Sequence, residues 1–353
     1  MRILFVSATR RTNRPYEDPS VRYRCYYPAA ELIKMGHYSY VISAEKFQKN
    51  FETLPDFDVY IFHRPSFSER FFEIREVLRN KVFVADYDDY TLDIKLTNDM
   101  PRVKSGTSSL NATSTVISNF FEGAALCDYY TASTDDLRNK IKKIFKIPSG
   151  RIITVHNGVP EEFVSLSRLA KEKMQNNRYT FGYFPGTTSH DIDWTIFNDA
   201  MKKMQLKEKC TLLLAGPLVV DKTNPDLRIV RHGYVEFSEL PFLMAQCKAV
   251  VAPLEATDFN ASKSGLKFWE SALCGCRVLA TPIPDIDRFE SPALLKCHND
   301  EEWQKNIQRV IEDDLPSFDA EELKNIEKQT SAKSEAMKLY AFLEEAVKEN
   351  ANL

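Results

Sequence analysis

The chain is predicted to be an α/β protein built on two open parallel sheets, and three observations predict it. Short apolar runs alternate with helical patterns along its length, as in parallel sheets with crossover helices. The 353 residues are enough for two domains that each bury a core. The strand pattern breaks between Asn157 and Asn177, where Gly158 and Pro160 end one strand and a charged helical stretch precedes the next.

The first half predicts strands at Ile3–Ser7, Tyr38–Ser43, Val59–His63, Val82–Ala85, Tyr129–Ala132 and Ile152–Val155. They are continuous apolar runs, as strands covered on both faces should be. Helices are predicted near Arg22–Met35, Ser68–Arg79, Ser114–Cys127 and Thr134–Phe145. Asp89–Ser109 is polar, carries Pro101 and Gly106, and is expected to be a mobile loop beside a cleft. The second half predicts strands at Thr180–Phe184, Thr211–Ala215, Ile229–His232, Ala249–Ala252 and Val278–Ala280. Its helices are expected near Asp193–Lys203, Phe237–Gln246, Ser264–Leu273 and Glu301–Glu312, with a charged helical tail over Ala320–Asn350.

Composition excludes several function classes. Hydrophobic residues make up 43% of the chain, which is globular. No apolar run approaches the roughly 20 residues of a membrane helix, and MRILFVSATR reads as a buried strand, not a secretory signal. Seven cysteines show no metal-ligand spacing, and an odd number suggests reduced thiols in a cytoplasm. A formal net charge of −3 argues against nucleic acid as a partner. Neither G-x-G-x-x-G nor a Walker pattern is present.

The most informative stretch is Ala252–Ala280: strand, loop to Ser262, helix, tight turn at Gly275, strand. Lys263, Lys267 and Glu270 are spaced four and three apart, and so are expected on one helical face. A helix start with two cations suits an anion, and a carboxylate further along suits a vicinal diol. Phosphate beside ribose describes a nucleotide; the alternative is a solvated Lys/Glu face. The setting fits ligand binding at the carboxyl ends of strands in open α/β sheets.

This segment resembles the donor-sugar motif of GT-B glycosyltransferases, close to glycosyltransferase family 4, also called group 1. Glu270, Gly275 and Arg277–Ala280 match the second half of that motif, whereas the family's first glutamate falls on Ser262. Lys263-Ser264 and Leu266-Lys267-Phe268 are similar to a divergent bacterial polysaccharide-type branch. Val21-Arg22-Tyr23-Arg24, Asp86-Tyr87-Asp88-Asp89, Thr131–Thr134, His156-Asn157-Gly158-Val159 and Gly182-Tyr183-Phe184 resemble further pieces of that branch in the expected order. The resemblance implies two Rossmann-like domains facing a cleft, with the last helix crossing back to the first domain. The expected division is an acceptor-side domain at 1–157 plus about 335–353, a linker at 158–177, and a donor-binding domain at 178–334.

The remaining candidates are placed on this frame. Gly186, Thr187, Ser189 and His190 follow a strand and precede a helix, which suits either a phosphate or a plain N-cap turn. The family usually brings an Arg and a Lys there; neither is present, so Lys263 and Lys267, helped by His190, are expected to supply the positive charge. Gly233 and Tyr234 are candidates for the base, and Ser262, Lys263, Ser264, Lys267 and Glu270 for the rest of the donor. His63 at a strand end is expected to polarise a sugar or accept an acceptor proton, with a structural histidine as the alternative. Asp86, Asp88 and Asp89 are candidates to orient acceptor hydroxyls or, for Asp88, to act as base, or else form a solvated loop. Arg22, Arg24 and Arg64 are expected on the acceptor side, where guanidinium forks suit phosphate or carboxylate. Arg138, Lys140, Lys142, Lys143 and Lys146 interleave with apolar residues and read either as a membrane-surface helix or as a packed helix with a basic outer face.

The resemblance therefore implies a cytoplasmic glycosyltransferase. It would move a sugar from a UDP-, GDP- or dTDP-sugar to a glycan or lipid-linked acceptor, without cofactor or metal, with retention of configuration, in surface polysaccharide synthesis. Peripheral contact with the inner membrane face is part of the expectation, with His63, Asp88 and Lys263 as catalytic residues. The alternatives are a sugar-nucleotide epimerase or hydrolase using the same cleft, or a catalytically silent glycan-binding partner.

Overall fold

The computed structural model describes residues 1–9, 11, 13–174, 177–186, 191–218, 220 and 223–351. The first sheet contains β1 (Arg2–Ser7), β2 (Tyr38–Ser43), β3 (Val59–His63), β4 (Val82–Tyr87), β5 (Tyr129–Ala132) and β6 (Ile152–Thr154) in the order β2-β1-β3-β4-β5-β6. The second contains β7 (Tyr179–Tyr183), β8 (Cys210–Ala215), β9 (Leu227–His232), β10 (Cys247–Ala252), β11 (Arg277–Ala280) and β12 (Leu294–Lys296) in the order β12-β11-β10-β7-β8-β9. Every strand pairing in both sheets is parallel. The strand order reverses between β1 and β3 in one sheet and between β7 and β10 in the other. Those are the crevices where open α/β sheets bind ligands.

The register sets a polar row along the carboxyl edge of the first sheet. Ser43, Ser7, His63, Asp86 and Thr131 lie side by side on five successive strands. All five are buried, so each needs a partner, and these partners build one wall of the candidate site.

Several local expectations are corrected. β12 is an unforeseen strand of three residues, too short to carry a periodic signal. Ala44–Asn50 is an unforeseen helix, capped by Ser43. Asp89–Ser109 is structured: a 3-10 segment spans Ile94–Asp99 and a short helix spans Pro101–Lys104. Leu92, Leu96 and Met100 are buried there against the first core, and Pro101 begins the helix, where its missing N–H costs nothing. The loop to Ser262 likewise holds a short helix, Asp258–Ala261. The stretch read as linker contains the helix Glu161–Lys173, whose Phe163, Val164 and Ala170 pack in the core of the second sheet's unit. The tail divides at Thr330 into Ala320–Gln329 and Ala332–Asn350. The last helix lies on the first sheet, with Leu339, Leu343 and Ala346 against Ile3, Phe5 and Val84. Among the described residues no helix is long and apolar enough to cross a membrane.

The chain passes between the two units twice, and the passages lie side by side. Val159 N–H donates to Thr330 O at 2.6 Å, and Ala332 N–H donates to Val159 O at 3.0 Å. A Cβ on Gly158 would stand 2.4 Å from Ala332 Cα, so glycine is required for this approach. Glu335 then ties the passages together: it accepts from His156 N–H at 2.8 Å, lies 3.4 Å from His156 Nδ1, and accepts from Lys338 at 2.8 Å.

Burial alone would raise the Glu335 carboxyl, but His156 and Lys338 outweigh it and hold it down to about 2. A carboxyl depressed by folding stabilises above its unfolded value, about 4.3, and that contribution is lost as pH falls toward 2. Glu335→Gln is therefore expected to cost about 2 kcal/mol at pH 7. The gap in melting temperature between wild type and variant should narrow between about pH 4.5 and 2. A gap that stays constant across that range would remove the role assigned to this carboxylate.

Candidate functional site

The first-unit wall is a network of buried charges. His63 Nε2 lies 3.1 Å from Asp88 Oδ1, and His63 Nδ1 is buried without a partner among the described residues. Arg64 adopts a left-handed backbone, φ 50°, directly after β3. It donates from Nε to Asp88 at 2.6 Å and from Nη2 to Asp89 at 2.8 Å. Burial would raise the Asp88 carboxyl, yet Arg64 and His63 hold it well below its usual range, so it is ionised. A cavity of about 60 Å³ opens beside this group, lined by Phe47, Phe62 and Phe71 with His63, Arg64 and Gln48.

Arg24 and Asp86 are used differently from the expectation. Arg24 Nε donates to Asp86 Oδ2 at 3.0 Å, and Nη2 bonds the other carboxylate oxygen. Arg24 Nη1 donates to Val155 O at 2.5 Å and to Asn157 Oδ1 at 3.1 Å, while Thr131 donates to Asp86 Oδ1 at 2.6 Å. Both residues are buried and engaged with each other, so they position the wall and do not face an acceptor. Arg22 is also redirected: its guanidinium lies over the Phe237 ring of the second unit, 4.0 Å from the centroid.

These arginines sit on a distorted turn. Residues Arg22–Tyr26 are π-helical between two α-helical segments, with Tyr27 N–H bonded to Arg22 O. Pro28 lacks the N–H that would continue the α-helical ladder at this point. The widened turn carries Tyr23 to the second unit, where its hydroxyl donates to Glu270 Oε1 at 2.6 Å.

The second-unit wall is the segment after β10. The helix begins at Leu266, not Ser264, because Gly265 is its N-cap. Lys263 consequently precedes the helix, and only Lys267 and Glu270 share its face, with Nζ 3.8 Å from Oε2. Lys263 Nζ lies 5.3 Å from the Phe259 ring centroid, and Ser264 Oγ is buried without a partner among the described residues. Asp285 accepts from the Gly265 N–H at 2.8 Å and from Arg288 at 3.0 Å. Burial raises the Asp285 carboxyl despite those donors. Gly186 and Gly233 are exposed, and Tyr234 is 59% exposed beneath the Arg11 guanidinium. Thr187, Ser189 and His190 lie outside the described residues.

Ser262, where the related motif has a glutamate, is fully buried against the first unit. It donates to Asp136 at 2.6 Å, accepts from Lys140 at 2.9 Å, and its carbonyl accepts from Thr134 at 2.9 Å. Lys140 also meets Asp258 at 2.7 Å, and Lys104 meets Glu255 at 2.8 Å. Phe259 is 6% exposed and packs in the first unit's core. Lys140 thus belongs to a seat between the units and not to a free basic face. Tyr23, Phe237, Phe259, Asp285 and this seat were not singled out in the sequence. Tyr23 lies inside the Val21–Arg24 motif, and Thr134, Lys140 and Ser262 of the seat each lie in a noted segment, but nothing in the sequence joins them.

Two six-stranded parallel sheets whose carboxyl edges meet define a GT-B fold. The structure of Anabaena Alr3699/HepE in complex with UDP and glucose matches with a TM-score of 0.64 at 13% identity, covering 98% of this chain and 100% of that one. Sucrose-phosphate synthase from Thermosynechococcus elongatus matches with a TM-score of 0.65 at 11% identity, covering 98% and 99%. Within that fold the chain resembles the group 1 glycosyl transferases, whose family model matches residues 183–313. In Bacillus subtilis (strain 168), TuaH, named for teichuronic acid biosynthesis as a glycosyltransferase, is 25% identical over 178 residues. That match covers 47% of this chain and 43% of TuaH, so it spans less than half of that relative.

Phe259→Ala should empty a buried ring site between the units and cost about 3 kcal/mol in urea unfolding. Protease cleavage within 254–262 should accelerate in parallel. Wild-type stability in this variant would show that the ring does not hold the units together.

Proposed function

We propose that this protein transfers a sugar from a nucleoside-diphosphate sugar to a glycan or lipid-linked acceptor in surface polysaccharide or glycoconjugate synthesis. The observation that carries this reading is buried Glu270 beside Lys267, on the helix Leu266–Leu273 between β10 and β11, where it meets the first unit at Tyr23. The helix lies inside the segment that matches group 1 glycosyl transferases. Neighbouring structures carry UDP, or UDP-glucose in a second HepE complex, and TuaH is named for teichuronic acid biosynthesis.

In this reading Glu270 accepts from the ribose of the donor. Lys263, Lys267 and the first amides of the helix neutralise the diphosphate as the glycosidic bond breaks. Charge stabilisation by lysines and amides needs no metal ion, and activity is proposed to be metal-independent. His63 is proposed to take up the proton of the acceptor hydroxyl beside the Phe47–Phe62–Phe71 cavity, with the ionised Asp88 orienting the imidazole and the hydroxyl. Same-face attack with retention follows from the resemblance to family 4. The seven cysteines are all free and buried, which supports a reducing, cytoplasmic setting. Arg138, Lys142, Lys143 and Lys146 remain the proposed contact with the inner membrane face.

Titration calorimetry with UDP, GDP and dTDP is expected to select one diphosphate. Lys263→Ala should weaken its binding by about tenfold or more, the scale of one lost charge-assisted bond. Glu270→Ala should remove most transfer activity. Failure of all three diphosphates to bind would refute the nucleotide site, and unchanged affinity in Lys263→Ala would refute the phosphate role of that lysine.

A further inference from the structure

We propose that Tyr23, supplied by the first unit, determines how the nucleotide site reads ribose: it takes one oxygen of the Glu270 carboxylate, so the site senses one ribose hydroxyl and not both. The inference rests on the donor-site reading above and concerns a residue that reading does not use. A bare carboxylate can accept from both hydroxyls of a vicinal diol, one on each oxygen; because each oxygen has two lone pairs, a donor already at one oxygen excludes a ribose hydroxyl by occupying the space it needs and not by exhausting the acceptor. Here the two oxygens differ. Oε1 accepts from the Tyr23 hydroxyl at 2.6 Å, a short charge-assisted bond. Oε2 lies 3.8 Å from Lys267 Nζ, beyond hydrogen-bond distance, and in this proposal it is the oxygen that meets an incoming ligand.

The contact is built into both units. Tyr23 and Glu270 are each 3% exposed, so water does not compete for the bond. The Tyr23 ring is held edge-on by Tyr27, with centroids 5.0 Å apart, and by Phe237 of the second unit at 6.4 Å. Its neighbour Arg22 stacks on the same Phe237. Its other neighbour, Arg24, is anchored to Asp86 and to the backbone at Val155. The hydroxyl is therefore aimed by packing on one side and by an ion pair on the other. Burial and the adjacent Glu270 push the phenol well above its ordinary range, so it stays a donor at any working pH. Displacing it would leave a buried hydroxyl unpaired, which favours its staying when nucleotide binds.

The test compares UDP or GDP, whichever of these two ribonucleotides binds more tightly, with its 2′-deoxy and 3′-deoxy forms, by calorimetry, in wild type and Tyr23→Phe. Wild type is expected to lose about tenfold or more in affinity with one deoxy form and less than about threefold with the other. Tyr23→Phe frees Oε1 and should lose about tenfold with either. A matching melting profile will show that Tyr23→Phe is folded, and Glu270→Gln provides the control in which discrimination weakens for both hydroxyls. Wild-type discrimination against both deoxy forms, or an unchanged pattern in Tyr23→Phe, overturns the inference while leaving the nucleotide site standing. If no diphosphate binds wild type, the nucleotide reading falls and this inference falls with it.

Discussion

The pairing of Arg24 with Asp86 is the constraint on which the two-unit arrangement depends. Both groups are buried, and an unpaired charge there would be strongly destabilising. The pair is completed by Thr131 on β5, by Val155 O after β6 and by Asn157 at the first passage between units. One guanidinium thus joins the early helix, two strands of the first sheet and the start of the linker. Because Arg24 is fixed, Tyr23 one residue earlier is fixed as well, and it meets Glu270 in the second unit. A charge pair wholly inside one unit in this way sets a hydrogen bond between the two.

The same logic separates what the sequence discloses from what it conceals. The strands are legible because both faces are covered: Ile3-Leu4-Phe5-Val6 and Ala249-Val250-Val251 are apolar without interruption. Glu270 and Lys267 are legible because they lie three apart on one helix. Lys263 is misplaced on that face because Gly265 caps the helix, and glycine in a helical pattern gives no boundary by itself. Phe259 reads as a loop residue until the first unit's core is seen to receive it. Tyr23 and Glu270 are 247 residues apart, and no periodicity links positions at that separation. Contacts between the units were hidden for this reason, while contacts within one helix were not.

The basic stretch 138–146 shows how a local pattern acquires a different meaning. As a sequence it is an amphipathic helix with a cationic face. In the fold, Lys140 is drawn out of that face by Asp136, Asp258 and Ser262, while Lys142 bonds Ser149 and Arg138 pairs with Asp135. Lys143 and Lys146 stay exposed. The helix therefore holds the 254–262 segment with one cation and presents a reduced charge outward.

This seat also accounts for Ser262. Lys140 already faces the carboxylates of Asp136 and Asp258, at 2.8 and 2.7 Å. A glutamate at 262 would put a third carboxylate beside one lysine at a position with no exposure to water. Repulsion and desolvation would then work together against the contact between units. A serine avoids both costs and contributes bonds in two directions, donating to Asp136 and accepting from Lys140. The departure from the related motif is thus a consequence of where residue 262 sits. It faces the first unit across the interface, and a neutral hydroxyl is the side chain that the charge balance there admits.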